Sequence, residues 1–247
     1  GYLNMINIYN RSLTPNEMLN NYNSERRNFS FNTLSFKNCK EILEFYPEAS
    51  SGNYRIDYNG IEMTGGEIDC YCDMKTDGGG WTLVLNYLHK EETNPPLSVK
   101  TTSLPLQGST SLGEDESGSS TNWGHAANSL LNAMAFTELR FYGKTSGHER
   151  IIHFKTTHYN SLNYFKSGSG SMDGIENSYT PLTGHSANLP ASAKDEFLNE
   201  GDEAMTDFPF WLGGTYHWGI KGLDSRWEVD DYPNDDSRNT FHQIWVR

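Results

Sequence analysis

The sequence has few Lys and Arg residues, no long apolar run and no cysteine beyond position 72. Lys and Arg together number 19 against 32 Asp and Glu, which gives a formal net charge of −13. Proteins that bind nucleic acid normally carry a basic excess or a basic stripe, so this charge balance argues against that class of partner. No apolar stretch approaches the ~20 residues that span a bilayer, so membrane insertion is not expected.

What the chain does contain is aromatic and strand-forming sequence. Aromatic residues make up 13% of the 247 residues and hydrophobic residues 35%, which is enough for a packed core. Strands are predicted at 53–58, in "GEIDCYCDM", in "WTLVLNYL" and in "RIIHFKTTHY". Short helices are predicted at 40–45 and 125–132, and the Gly- and Ser-rich stretch 107–122 is typical of a long surface loop.

Three consecutive glycines at 78–80 stand directly before Trp81. Glycine adopts positive φ at little steric cost, so this run predicts a tight turn. The apolar residues from Trp81 onward predict that the turn leads into a strand of the core.

The first 28 residues have a character of their own. Residues 2–9 alternate apolar and polar side chains, which predicts a half-buried strand. Thr14 is a candidate N-cap, Pro15 suits the first helical position and Glu17 completes a capping box. This strand and helix resemble the C-terminal end of laminin-G-like (concanavalin-type) jelly rolls. The resemblance implies a division into 1–28 and a main domain at 29–247; the alternative is an N-terminal arm packed on that domain.

The segments "NCKEI", "SGNYRID" and "YCDMKTDGGGWTLV", in this order, resemble the opening of a fibrinogen-like domain. The later part, ending in "FHQIWVR", is more similar to microbial and phage-type members than to animal fibrinogens or ficolins, which carry a second disulfide. The resemblance implies an α+β fold in which a twisted antiparallel sheet with short helices is followed by a loop-rich C-terminal binding region.

The same resemblance implies a disulfide between Cys39 and Cys72, with Trp81 entering the core under it. Such a bridge indicates an oxidising environment, at a cell or virion surface. Cys70 is left over. It could compete for Cys39, pair with another chain or remain a buried free thiol.

The segment 215–239 holds two Trp, two Tyr, one His and six carboxylates between glycines. Carboxylates on a loop suit Ca²⁺, and aromatic rings stack on sugar surfaces. Similarity to intelectins, which hold a glycan diol on Ca²⁺, implies His217 as a hydrogen-bond partner and Glu228 as a metal ligand. The further candidate ligands for the metal are Asp230, Asp231, Asp236 and, by position alone, Asp202. The candidate residues for the saccharide are Tyr216, His217, Trp218, Trp227 and Tyr232.

An alternative interpretation of this segment is that Trp218 and Trp227 fill the core and the aspartates solvate a loop. Strand alternation predicts that Glu228 points outward if Trp227 and Val229 face the core.

The two candidate catalytic motifs lack the residues or the spacing that their chemistry requires. Gly143-Lys144-Thr145 ends like a phosphate loop, but Glu138 stands where the first glycine should be. His148 and His153 are five residues apart, one more than a zinc-protease helix requires.

The expected function is therefore calcium-dependent, non-catalytic carbohydrate recognition by an extracellular adhesin or virion fibre. Glycans are the expected partners, within a larger multi-domain and oligomeric assembly. The alternative is a structural or decoration domain that packs against other proteins.

Overall fold

The computed structural model shows an α+β protein built on one large, mainly antiparallel sheet. It describes residues 9–25, 35–60, 65–116, 120–190, 192–193, 201–206, 210–212, 215–216, 218–220, 227–230 and 238–247. The expected α+β class is confirmed. Within these residues, no helix is long and apolar enough to cross a membrane.

Four helices and fourteen strands are found in the described residues. The helices are α1 Pro15–Glu25, α2 Cys39–Phe45, α3 Asn128–Ala133 and α4 Tyr159–Ser167. The first eight strands are β1 Gly52–Asp57, β2 Glu67–Asp73, β3 Trp81–His89, β4 Val99–Lys100, β5 Gly124–Ala126, β6 Leu139–Thr145, β7 His148–Thr156 and β8 Tyr179–Pro181. The others are β9 Ser192–Ala193, β10 Phe210–Leu212, β11 Thr215–Tyr216, β12 Trp218–Gly219, β13 Glu228–Val229 and β14 Thr240–Val246.

The large sheet has the strand order β1-β2-β3-β14-β6-β7-β8, with β5 also paired to β3 and β4 paired in parallel to β5. The last strand of the chain therefore lies at the centre of the sheet, between β3 and β6. There are two smaller sheets: one has the strand order β11-β10-β9, and the other pairs β12 with β13. Because β14 brings together strands that are distant in sequence, the sheet faces are assembled from several separate segments.

The predicted helix at 125–132 starts too early. His125 belongs to β5, where it pairs with Leu85 of β3, and α3 begins only at Asn128. Pairing with the sheet extends the backbone that local propensity would have made helical.

The helix signals at the N-terminus are confirmed. The Glu17 amide donates to Thr14 Oγ1 at 3.3 Å, and the Thr14 amide donates to Glu17 Oε2 at 2.9 Å. This reciprocal pair is the predicted capping box at the start of α1. The predicted strand at 2–9 lies outside the described residues except for Tyr9, and the domain boundary at 28–29 stays a prediction.

The glycine run makes the predicted turn. Gly78, Gly79 and Gly80 have φ of 83°, 77° and 78°. A Cβ on Gly79 would lie 2.3 Å from the Met74 carbonyl oxygen, and one on Gly80 would lie 2.9 Å from the Lys40 Cα. Glycine is needed here both for the backbone conformation and for the close approach of α2.

The disulfide between Cys39 and Cys72 is confirmed, and Cys70 is a buried free thiol. Burial raises the pKa of the Cys70 thiol well above its ordinary value. Trp81 is fully buried as predicted, but not under the disulfide. It belongs to a second cluster with Leu83 and Trp245, whereas the disulfide belongs to the main core. Alternate residues of a strand point to opposite faces, and here both faces of β3 are covered.

Candidate functional site

The two tryptophans of the predicted C-terminal site are core residues. Trp218 is 0% exposed and lies edge-on to Phe141 and His242, with ring centroids 5.8 and 4.8 Å apart. Trp227 is 1% exposed and stacks on His89 at 4.2 Å. The predicted stacking of Trp218 and Trp227 on a glycan is therefore wrong, because neither ring offers a face to a ligand. The core-filling alternative holds for both.

The outward orientation predicted for Glu228 is also wrong. Trp227, Glu228 and Val229 are 1%, 1% and 0% exposed, so both faces of β13 are covered. The Glu228 carbonyl accepts a hydrogen bond from His242 Nε2 at 2.9 Å. The alternation of side chains along a strand predicts an exposed residue only where one face of that strand meets solvent.

The other described acidic candidates are engaged by neighbouring residues. Asp230 is 4% exposed and pairs with Arg150, whose Nε lies 2.5 Å from Oδ2. Asp202 accepts the Asn128 amide at Oδ1 (2.8 Å) and contacts His125 Nε2 through its carbonyl oxygen (2.6 Å).

Whether the described residues could hold calcium depends on how many ligand atoms they bring close together. Calcium requires six to eight oxygen ligands. The one group of three metal-ligand side chains in the described part of the chain is Cys39, Cys70 and Cys72, two of which form the disulfide. The described carboxylates therefore do not fit a calcium site. Asp231 and Asp236 lie outside the described residues, as do His217, Tyr232 and the side chain of Tyr216.

A different site opens on the face of the large sheet opposite the main core. Phe141 and Ile244 point into the main core, while their strand neighbours Arg140 and Trp245 line an open groove of about 340 Å³. We call it the sheet-face groove and define it by Tyr71, Asp73, Arg140, Tyr142, Lys144 and Trp245. It spans β2, β14 and β6, and the loop at 107–110 closes one side.

A stack of aromatic rings and guanidinium groups forms the floor of the groove. The Arg140 guanidinium carbon lies 4.4 Å from the Trp245 ring and 5.1 Å from the Trp81 ring. The Arg247 guanidinium carbon lies 4.1 Å from the Trp81 ring. Arg140 is only 3% exposed, so these cation–π contacts and its ion pair hold it in place.

The single carboxylate of the groove is fully engaged. Asp73 Oδ2 lies 2.7 Å from Arg140 Nη1, and Oδ1 accepts the amides of Lys75 and Thr76 at 3.0 Å each. Burial alone would raise the pKa of Asp73, but Arg140 and these hydrogen bonds outweigh it and lower the pKa to about 2. Asp73 is therefore ionised at neutral pH, and both of its oxygens are already engaged within the protein.

Two half-buried tyrosines provide the accessible aromatic surface. Tyr71 packs edge-on to Trp245 at 6.1 Å, and Tyr142 packs edge-on to Phe241 at 5.5 Å. Neither phenol hydroxyl has a hydrogen-bond partner among the described residues. Burial raises the pKa of both phenols, helped at Tyr71 by Asp73, so both remain protonated and can donate.

A lysine and a histidine complete the polar lining. Lys144 Nζ lies 3.2 Å from the Thr110 carbonyl oxygen and 5.5 Å from the centre of the Phe241 ring. In the described part of the chain, no carboxylate lies within ion-pair distance of Lys144. His153 Nδ1 lies 2.8 Å from the Thr183 carbonyl oxygen, and burial lowers its pKa, so it is neutral at pH 7.

Sequence reasoning missed this groove, although a signal was present. In "LRFYGKT" the polar or amphipathic residues Arg140, Tyr142 and Lys144 alternate with the core residues of β6. In "TFHQIWV" Phe241, Gln243 and Trp245 alternate in the same way. Period-two alternation places each set on one face, but only the pairing of β14 with β6 shows that both sets share a face.

Comparison with known proteins identifies the N-terminal part of the sheet. Residues 35–93 match the family model of the fibrinogen beta and gamma chains, C-terminal globular domain. Techylectin-5A from Tachypleus tridentatus is 57% identical over 46 residues, which cover 19% of this chain and 15% of that protein. The chain thus spans only about 15% of the length of this relative.

A solved structure, the fibrinogen-like globe domain of human ANGPTL6, is similar with a TM-score of 0.42 and 11% identity, covering 86% of this chain and 95% of that chain. The similarities do not test the resemblance to microbial and phage-type members or to laminin-G-like domains. The expected α+β fold with an antiparallel sheet is confirmed, and the family match supports its fibrinogen-like character over residues 35–93. The segment that carries this family similarity, residues 35–93, contains the disulfide, the glycine turn and β3.

Proposed function

We propose that this protein is a non-catalytic, extracellular carbohydrate-recognition module and that the sheet-face groove is its binding site. The observation that supports it best is the groove itself. It is open, and Tyr71 and Tyr142 bring apolar ring surface together with hydroxyls that have no partner among the described residues. Sugars present both C–H surfaces and hydroxyls, so they match this lining.

The lectin name of Techylectin-5A favours the same class of function, through a short segment of that protein. The Cys39–Cys72 disulfide favours an oxidising, extracellular environment. Membership in an adhesin or virion fibre, an assembly with a laminin-G-like part, and oligomerisation are further parts of the proposal that rest on the sequence alone. The rival is a structural domain whose groove is covered by a neighbouring protein.

Replacing Tyr142 with alanine is expected to weaken saccharide binding about tenfold, which corresponds to ~1.4 kcal/mol. The change removes both the ring and the hydroxyl from the centre of the groove. A glycan array identifies a binding saccharide, and calorimetric titration compares the parent with the variant. Tyr159→Ala is the matched control, because Tyr159 is 73% exposed and lies outside the groove.

Equal affinities of the parent and Tyr142→Ala for the saccharide would show that the groove is not the binding site. The absence of any saccharide ligand, with the fold intact by circular dichroism, would favour the structural rival instead.

Calcium-dependent binding, expected from the resemblance, is the alternative to the groove and now rests on Asp231 and Asp236, which lie outside the described residues. The groove itself offers one carboxylate, already paired with Arg140. We therefore expect a saccharide in the groove to bind with the same affinity in millimolar Ca²⁺ and in EDTA, measured by the same titration. Loss of binding in EDTA would place the saccharide site on the acidic segment 231–237 and contradict the groove.

A further inference from the structure

We propose that the ligand of the sheet-face groove is an acidic saccharide, a sugar chain that carries carboxylate groups. This inference rests on the proposed function and names the ligand class for the same groove.

The groove presents several hydrogen-bond donors to a ligand. The protonated hydroxyls of Tyr71 and Tyr142 and the ammonium of Lys144 can donate to a ligand. Both oxygens of Asp73 are occupied by Arg140 and by two backbone amides. A ligand with acceptor groups matches these donors, and a carboxylate is the strongest acceptor for the charged donor Lys144.

In the part of the chain that the structure describes, no carboxylate balances the positive charge of Lys144 at the surface of the groove. The chain has a net charge of −13, and the nearby cations Lys155 and Arg247 are paired with Asp77 and Glu138. The one contact of the Lys144 ammonium with an acceptor in the described residues is the Thr110 carbonyl at 3.2 Å, which uses one of its three donors. A carboxylate on the ligand would supply the missing counter-charge.

The other two charged groups that define the groove cancel. The Arg140 guanidinium is paired with the Asp73 carboxylate, so Lys144 gives the groove a net positive charge.

The positions fit one saccharide lying along β6. Tyr142 and Lys144 are two residues apart on the same face of the strand, so their Cα atoms are about 7 Å apart. A sugar ring over Tyr142 can therefore place a carboxylate against Lys144 Nζ while one of its hydroxyls meets the Tyr142 phenol.

The test compares a galacturonic acid oligosaccharide with its carboxyl-reduced neutral counterpart, which keeps the length and linkage but loses the charge. Calorimetric titrations use the parent chain at 50 and 500 mM salt. The variants are Lys144→Met, which keeps the stem without the charge, and Lys144→Arg, which keeps the charge. Lys90→Met is the matched control, because Lys90 is exposed and lies outside the groove.

We expect the parent to bind the acidic oligosaccharide at least tenfold more tightly than the neutral one, and high salt to reduce that preference. Lys144→Met should bring the ratio of the two affinities close to one, while Lys144→Arg and Lys90→Met should keep the parent's ratio.

Equal affinity of the parent for both saccharides would overturn the inference but leave the proposed function standing. If Lys144→Met still preferred the acidic oligosaccharide, the inference would also be overturned, since other residues would then recognise the carboxylates. If neither saccharide binds while an oligoglutamate peptide of equal charge does, the proposed function itself fails and the groove is a peptide site.

Discussion

Lowering the pH from 7 to 5 is expected to reduce the free energy of unfolding by ~4 kcal/mol, because two buried histidines are held neutral. Burial lowers the pKa of His125 to about 4 and that of His242 to about 3. Hydrogen bonds from both residues to backbone carbonyls, of Asp202 and Glu228, oppose the shift only in part.

The direction follows from proton binding in the two states. The unfolded chain protonates these histidines below pH ~6.5, whereas the folded chain does not until the pH approaches 4 and 3. Each histidine then costs ~1.4 kcal/mol per pH unit below that value. Stability is therefore fully present above pH ~6.5 and is lost progressively on acidification.

Urea denaturation at pH 7, 6 and 5 measures this loss directly. His242→Gln should reduce the loss of stability between pH 6 and 5 by ~1 kcal/mol, whatever its effect on stability at pH 7, because it removes one of the groups held neutral. A free energy of unfolding that is the same at pH 7 and pH 5 would contradict the burial of both histidines in a neutral form.

Removing the disulfide is the second change with a large expected effect. The loop closed between Cys39 and Cys72 has a sequence separation of 33 residues. Loop-closure entropy predicts a loss of ~3 to 4 kcal/mol when such a bridge is removed. We expect this loss for the double variant C39A/C72A, measured by denaturant unfolding under non-reducing conditions.

Cys70 provides a matched control for that experiment. Its sulfur lies 3.9 Å from Cys39 Sγ and 3.8 Å from Cys72 Sγ, in the same buried cluster. Cys70→Ala removes an equally buried sulfur without breaking a bridge, so it should cost much less than C39A/C72A. Equal losses would show that packing, and not the cross-link, stabilises this region. Non-reducing peptide mapping of the parent should recover Cys39 joined to Cys72.

The features that could be predicted from the sequence are local. The capping box of Thr14 and Glu17 depends on residues three apart, and the glycine turn depends on the conformational freedom of Gly78 to Gly80. The disulfide is long-range, and it was implied by a family resemblance, not by spacing.

The features that could not be predicted depend on what covers each face of a strand. Trp218 packs against Gly143, where a Cβ would lie 2.8 Å from its ring, so β12 lies directly on β6. Nothing in the residues around Trp218 reveals that contact. Glu228 is buried as well, although strand alternation predicts that its side chain points to solvent.

The sheet-face groove was missed for a related reason. Tyr71 comes from β2, Tyr142 from β6 and Trp245 from β14, and these strands share one sheet only because β14 inserts between β3 and β6. The pairing of Phe241 with Lys144 fixes which side chains share the face. That register is a tertiary property, set by long-range packing.

A crystal structure of the chain grown with the galacturonic acid oligosaccharide tests the proposal most directly. We expect the sugar in the sheet-face groove, with a carboxylate within hydrogen-bonding distance of Lys144 Nζ and a sugar hydroxyl within hydrogen-bonding distance of the Tyr142 hydroxyl. A saccharide bound instead to the segment 215–239, with the groove free at saturating ligand, would contradict the assignment of the site.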